Sequence, residues 1–106
     1  VRVGYSILRG IKNKHIEFTA ATYGLKEYEF QRMIRLLEYK GFVERVLRVG
    51  DNLSLKPARL TEKGAIYLKE YSYLELDYPL DKMDLKEWVK ADKTLHSNEA
   101  EVDYLK

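Results

Sequence analysis

A mainly helical α+β fold is predicted by three observations. The stretch Thr19 to Phe42 holds a short helical segment, a glycine at Gly24 and a longer helical period that stops at Gly41. Phe42 to Leu60 then switches to β-branched residues around Gly50-Asp51-Asn52. Helical spacing returns at Thr61. Changes of period between 3.6 and 2 mark changes of element.

Taken in order, Val3 to Ile11 carries Tyr5, Ile7, Leu8 and Ile11 at spacings that suit a first amphipathic helix. Gly10 weakens it by roughly 1 kcal/mol relative to alanine, so this helix depends on tertiary packing. Lys12 to Lys14 is a polar connector. Ile16 and Phe18 alternate with His15 and Glu17, which predicts a very short strand or an extended lead-in.

The helix, glycine turn and second helix that follow form a helix-turn-helix pattern. Small Ala20 lets the two helices cross closely. The second helix, about 26–40, resolves by angle at roughly 100° per residue. Phe30, Met33, Ile34 and Leu37 point inward, and Tyr28, Arg32, Arg35 and Tyr39 point outward with Gln31 beside them. Gly41 is the expected terminator, since it takes a left-handed conformation without a Cβ clash.

Phe42 to Val49 reads as one strand and Leu53 to Leu60 as its return, with Pro57 arguing for an edge position. Thr61 is placed to cap a further helix with Glu62 in its first turn. Ala65, Leu68 and Tyr71 or Ser72 are expected to face the core. Beyond Tyr73, Pro79 predicts a break. Asp84 and Glu87 have the spacing of a helix start, and Leu85, Trp88 and Val89 form one apolar stripe. The expected division is a winged helix-turn-helix domain over 1–74, a C-terminal helical strap or dimerisation segment over 75–91, and a mobile tail over 92–106.

Several stretches resemble the YjcQ family of small winged-helix proteins from Bacillus-type bacteria and their phages. The resemblance rests on Tyr5-Ser-Ile-Leu, on Gly41-Phe42, on Leu60-Thr-Glu-Lys-Gly-Ala-Ile-Tyr-Leu-Lys-Glu70 and on Lys86-Glu-Trp-Val-Lys90. It covers roughly residues 5–90 and implies a winged helix with a two-stranded wing and a phage or prophage origin. Lys26 stands where regulators of this kind usually carry a capping Ser or Thr. Glu27 and Glu29 make the first turn acidic, so the middle of the helix is the better place for DNA contact.

Eight residues are the candidate DNA contacts. Arg32 and Arg35 suit guanine edges or phosphates, and Gln31 suits adenine. Tyr28 and Tyr39 offer hydroxyls to phosphate oxygens. Arg45, Arg48 and Lys56 on the wing suit the backbone or the minor groove. The competing reading is a solvated face in which Arg32 and Arg35 pair with Glu29 and Glu38. A protein-interaction module is the alternative function, since tyrosine and arginine are also interface residues. A phage-encoded adaptor or inhibitor of a host protein is the form it would take. The tyrosines and tryptophan of the C-terminal region, with the first helix, are the expected homodimer surface or else a strap over a small core.

Composition bounds the rest. A chain of 106 residues with 45% hydrophobic and 34% charged residues corresponds to about one domain. Residues 1–70 hold 14 Lys+Arg against 8 Asp+Glu, whereas 71–106 hold 5 against 9. A basic part (+6) is thus followed by an acidic one (−4), as in a polyanion-binding module tempered by its tail. The absence of cysteine excludes thiol catalysis and cysteine-ligated metals. His15 and His96 lack ligand-spaced partners, and no catalytic residues, metal or cofactor are expected. Without an apolar run or signal-peptide pattern, the expected location is the cytoplasm.

Overall fold

A computed structural model describes residues 1–15 and 17–91. At its centre lies α1, Arg2–Asn13, slightly longer than the spacing predicts. Tyr5, Ser6, Ile7, Leu8 and Ile11 are buried on it. It ends at Lys14, which takes a left-handed conformation (φ 62°). The N–H groups of Lys14 and His15 then donate to the carbonyls of Ile11 and Gly10 at 3.3 and 2.8 Å. Residues 17–19 form no strand, although Thr19 is extended (φ −128°, ψ −179°), and Ile16 lies outside the described residues.

The predicted short helix is a single 3-10 turn, Ala20–Tyr23, closed by Gly24 at φ 70°. It leads into α2, Glu27–Tyr39. Phe30, Ile34 and Leu37 are buried and Met33 is half-buried, as the angular reading places them. Tyr23 stacks on Phe30 with ring centroids 6.3 Å apart. Gly41 (φ 80°) ends the helix. Its N–H donates to the Glu38 carbonyl at 2.9 Å, and that of Phe42 donates to Leu37 at 3.0 Å. This pair of bonds satisfies two of the orphan carbonyls at the helix end.

The hairpin departs from the two continuous strands expected. It consists of β1 (Val43–Glu44), β2 (Leu47–Val49), β3 (Asn52–Ser54) and β4 (Arg59–Leu60). These form two separate antiparallel pairs, β1 with β4 and β2 with β3. Glu44 faces Arg59 and Leu47 faces Ser54, so the return arm carries the longer interruption. Its cause is visible in the backbone. Arg45 has φ 65°, which turns the outgoing arm away from the extended region. On the return arm Pro57 has no N–H to give the ladder. Lys56 and Ala58 spend their N–H groups locally, on Ser54 Oγ (3.2 Å) and the Leu55 carbonyl (3.0 Å).

Helix α3, Glu62–Glu70, is capped by Thr61 as predicted. The Thr61 hydroxyl accepts from the Gly64 N–H at 3.0 Å and donates to the Gly41 carbonyl at 2.5 Å. One side chain thereby ties the end of α2 to the start of α3. Ala65 is exposed, contrary to expectation, and so is Ser72. The inward line instead runs through Gly64, Leu68 and half-buried Tyr71, at i, i+4 and i+7. Close approach of Gly64 to the hairpin base sets that rotation and leaves Ala65 facing outward.

The C-terminal stretch returns over α1 as a 3-10 turn Ser72–Asp77, a second turn Lys82–Asp84 and a helix, α4, over 85–91. Asp81 caps the 3-10 turn, accepting from the Met83 N–H at 2.9 Å, and the helix begins directly after Asp84, where the Asp84/Glu87 spacing places a start. Leu85, Trp88 and Val89 form the predicted stripe and are buried in the same core as α1. Expectations for the tail 92–106, including His96, fall outside the described residues. Among the described residues no helix is long and apolar enough to cross a membrane.

Candidate nucleic-acid interface

The outward face of α2 presents Tyr28, Arg32, Arg35 and Tyr39, all exposed, Tyr39 by 89%. The carboxylates near enough in sequence to neutralise this stripe are each engaged elsewhere. Glu29 reaches back to accept the Lys26 N–H at 2.8 Å, half of a capping box that compensates for the missing Ser or Thr. Glu27 accepts from Gln31 Nε2 at 3.0 Å. Glu38 accepts both Arg48 terminal nitrogens, at 2.6 and 3.1 Å. The pairs of Arg32 and Arg35 with Glu29 and Glu38 that the competing reading requires are therefore absent. Arg32 instead stands 5.8 Å from the Tyr28 ring centroid.

These contacts sort the eight sequence candidates. Tyr28, Arg32, Arg35 and Tyr39 share one exposed helix face. Gln31 is half-buried and donates to Glu27. Arg48 is a fastener between hairpin and helix, its guanidinium held above its usual range by the hydrogen bond to Glu38. Arg45 is exposed at the break between β1 and β2, and Lys56 at the turn between β3 and β4. Asp51 is exposed in the tip turn of the hairpin.

Sequence reasoning passed over an apolar component. Leu36, Leu47 and Val49 are exposed, Val49 by 63%. Leu36 follows Arg32 by four residues, so the same angular arithmetic could have placed it at the edge of the stripe. The hairpin pair could not be placed by alternation, because all three residues of β2 are exposed, Arg48 among them as the partner of Glu38.

A buried polar network explains the aromatic C-terminal region. Ser6, fully buried, exchanges hydrogen bonds with the hydroxyls of Tyr23 (2.8 Å) and Tyr78 (2.7 Å). Beside it Glu75 accepts from Tyr5 Oη at 2.5 Å and Arg9 Nε at 2.7 Å. Arg9 also lies 3.9 Å from the Tyr78 ring centroid. Trp88 Nε1 donates to Asp77 at 3.1 Å while its ring meets Tyr78 edge-on. These side chains latch the C-terminal stretch onto α1, so the apolar side of α1 is covered within the chain. Exposed apolar residues lie further on, at Leu76, Leu80 and Met83.

The Arg9 hydrogen bond, and then that from Tyr5, hold the Glu75 carboxyl below its ordinary value of 4.5. A carboxylate with a depressed folded pKa contributes stability that is present above the unfolded value and lost as pH falls through the folded one. Thermal melts should thus show a loss beginning below about pH 4.5, and Glu75→Gln should reduce the acid slope relative to neutral pH. An unchanged slope would remove Glu75 from the latch.

Among the described residues no cluster of His, Asp and Glu could hold a metal ion. Comparison with protein-family models, with curated proteins and with solved structures gives no match for this chain.

Proposed function

We propose that this chain is a non-enzymatic winged-helix DNA-binding protein whose α2 enters the major groove and whose hairpin is the wing. The observation that carries the reading is the Tyr28/Arg32/Arg35/Tyr39 face, exposed and with both guanidinium groups outside any ion pair among the described residues. Arg45 and Lys56 extend the cationic surface to the hairpin. The resemblance to YjcQ proteins supports a phage or prophage origin, and the role proposed for such a protein is regulation of transcription in the cytoplasm.

Fluorescence anisotropy with a labelled duplex tests it. Binding at low salt should weaken with a log–log slope near −0.9 per phosphate contacted. Arg32→Ala with Arg35→Ala should lower affinity about tenfold or more and make the slope shallower, while the melting temperature stays unchanged. No duplex binding at low salt would reject the reading.

The exposed Leu36, Tyr39, Leu47 and Val49 favour a second reading, docking of a host or phage protein on the same face. Its mark would be a partner captured from host lysate that survives nuclease treatment and is lost in Tyr39→Ala with Val49→Ser.

A further inference from the structure

The end of α1 and the return arm of the hairpin enclose an open groove of about 580 Å3. Lys12 and Lys14 line it from the helix, Lys56 and Arg59 from the hairpin, and no carboxylate lines it. Its floor is apolar, made by buried Ile11 and half-buried Ala58 and Leu60. None of the four cations forms an ion pair among the described residues. Carboxylates stand in the neighbouring concavities, Glu62 and Glu75 on the far side of Lys12 and Glu17 and Glu27 on that of Lys56, outside the groove lining. Glu44 faces Arg59 across the ladder without an ion pair. Glu75 feels the field of Lys12, but its hydrogen bonds go to Arg9 and Tyr5. The Gly10 and Ile11 carbonyls at the negative end of α1 are occupied by the His15 and Lys14 N–H groups.

Four like charges around a concave, apolar-floored space repel one another unless an anion joins them. The volume lies in the range of small-molecule sites, roughly 300–1,000 Å3. We infer that this groove binds a phosphate-bearing small molecule of nucleotide size. The lysines and Arg59 grip its phosphates, and Ile11, Ala58 and Leu60 receive its apolar part. Arginine and lysine are the side chains suited to phosphate oxygens, by fork geometry and point charge respectively. The sequence conceals the site because its two halves are over forty residues apart and meet only where the hairpin folds back on α1. The inference stands apart from DNA binding by α2, which uses different residues except Lys56.

Titration calorimetry at low salt tests it, with adenosine triphosphate and inorganic tripolyphosphate as separate probes. The variants are Lys14→Asn with Arg59→Gln, then Lys56→Gln alone, and Arg32→Ala with Arg35→Ala as the control. Asparagine is chosen at Lys14 because it tolerates the left-handed backbone there. The expected result is one equivalent bound per chain. Binding should weaken about tenfold or more in the Lys14/Arg59 variant, measurably in Lys56→Gln, and not in the α2 control. Equal binding of both probes would assign recognition to the phosphates, and preference for the nucleotide would add the apolar floor. No binding of either probe, or equal weakening in the control, would overturn the inference. Duplex binding lost in the Lys14/Arg59 variant without small-probe binding would also overturn it, making the groove a backbone contact.

Discussion

Gly64→Ala is expected to lower the melting temperature by about 10 °C, although alanine is the better helix former by about 1 kcal/mol. A Cβ at residue 64 would stand 2.2 Å from the Phe42 carbonyl oxygen and 3.0 Å from both its carbon and Leu60 Cδ1. That carbonyl cannot withdraw cheaply, because it accepts the Thr61 N–H at 3.1 Å at the hairpin base. The clash is with backbone, so α3 must move away from the hairpin and loosen the Thr61 bridge to Gly41. Overpacking of this kind costs about 1–3 kcal/mol or more. The paired control is Gly4→Ala in α1. There a Cβ would meet Leu37 Cδ2 at 3.5 Å, an ordinary contact. That variant should keep or raise stability, by up to ~1 kcal/mol, through helix propensity. Differential scanning calorimetry of the two variants therefore gives shifts of opposite sign if the packing is as described.

Leu85→Ala is the second large effect. Leu85 is 1% exposed, on the helix that closes over α1, and shares the core with Leu8, Leu74, Trp88 and Val89. Truncating a buried leucine costs about 2–5 kcal/mol, depending on how far the site collapses. Denaturant unfolding of the variant should show a reduced midpoint in one transition, because residues 75–91 and α1 form one core. A variant of wild-type stability would show the C-terminal stretch to be a separable appendage. Residues 1–74 alone should likewise lack a complete core, because loss of Tyr78, Leu85 and Trp88 uncovers Tyr5, Ser6 and Leu8.

How far the fold was legible follows from these elements. The inward faces of α1 and α2, the Gly24 turn, the Gly41 stop and the Thr61 cap all depend on local spacing and capping chemistry, and all can be read from the chain. The hairpin was legible as strand-forming but not as interrupted. Arg45 adopts a positive φ that its residue type does not announce, and the local bonds of Lys56 and Ala58 appear only in three dimensions. Ala65 was misplaced by a rotation of α3 that the contact between Gly64 and Phe42 imposes. At the candidate interface the outward stripe was legible by angle. What was not legible was the disposal of the carboxylates. Glu29, Glu27 and Glu38 have backbone, glutamine and cross-element partners, and the last of these brings together residues ten positions apart. Those partnerships give Gln31 and Arg48 partners within the chain, and leave Arg32 and Arg35 as helix-face charges outside any ion pair among the described residues.

Binding of DNA by that stripe is tested most directly by amide chemical-shift mapping as a short duplex is titrated into the labelled protein at low salt. The account predicts shifts centred on the outward positions of 28–39 and on Arg45, absent in the Arg32→Ala, Arg35→Ala variant. Shifts confined to the apolar surface of Leu76, Leu80 and Met83, or no shifts at all, would contradict it.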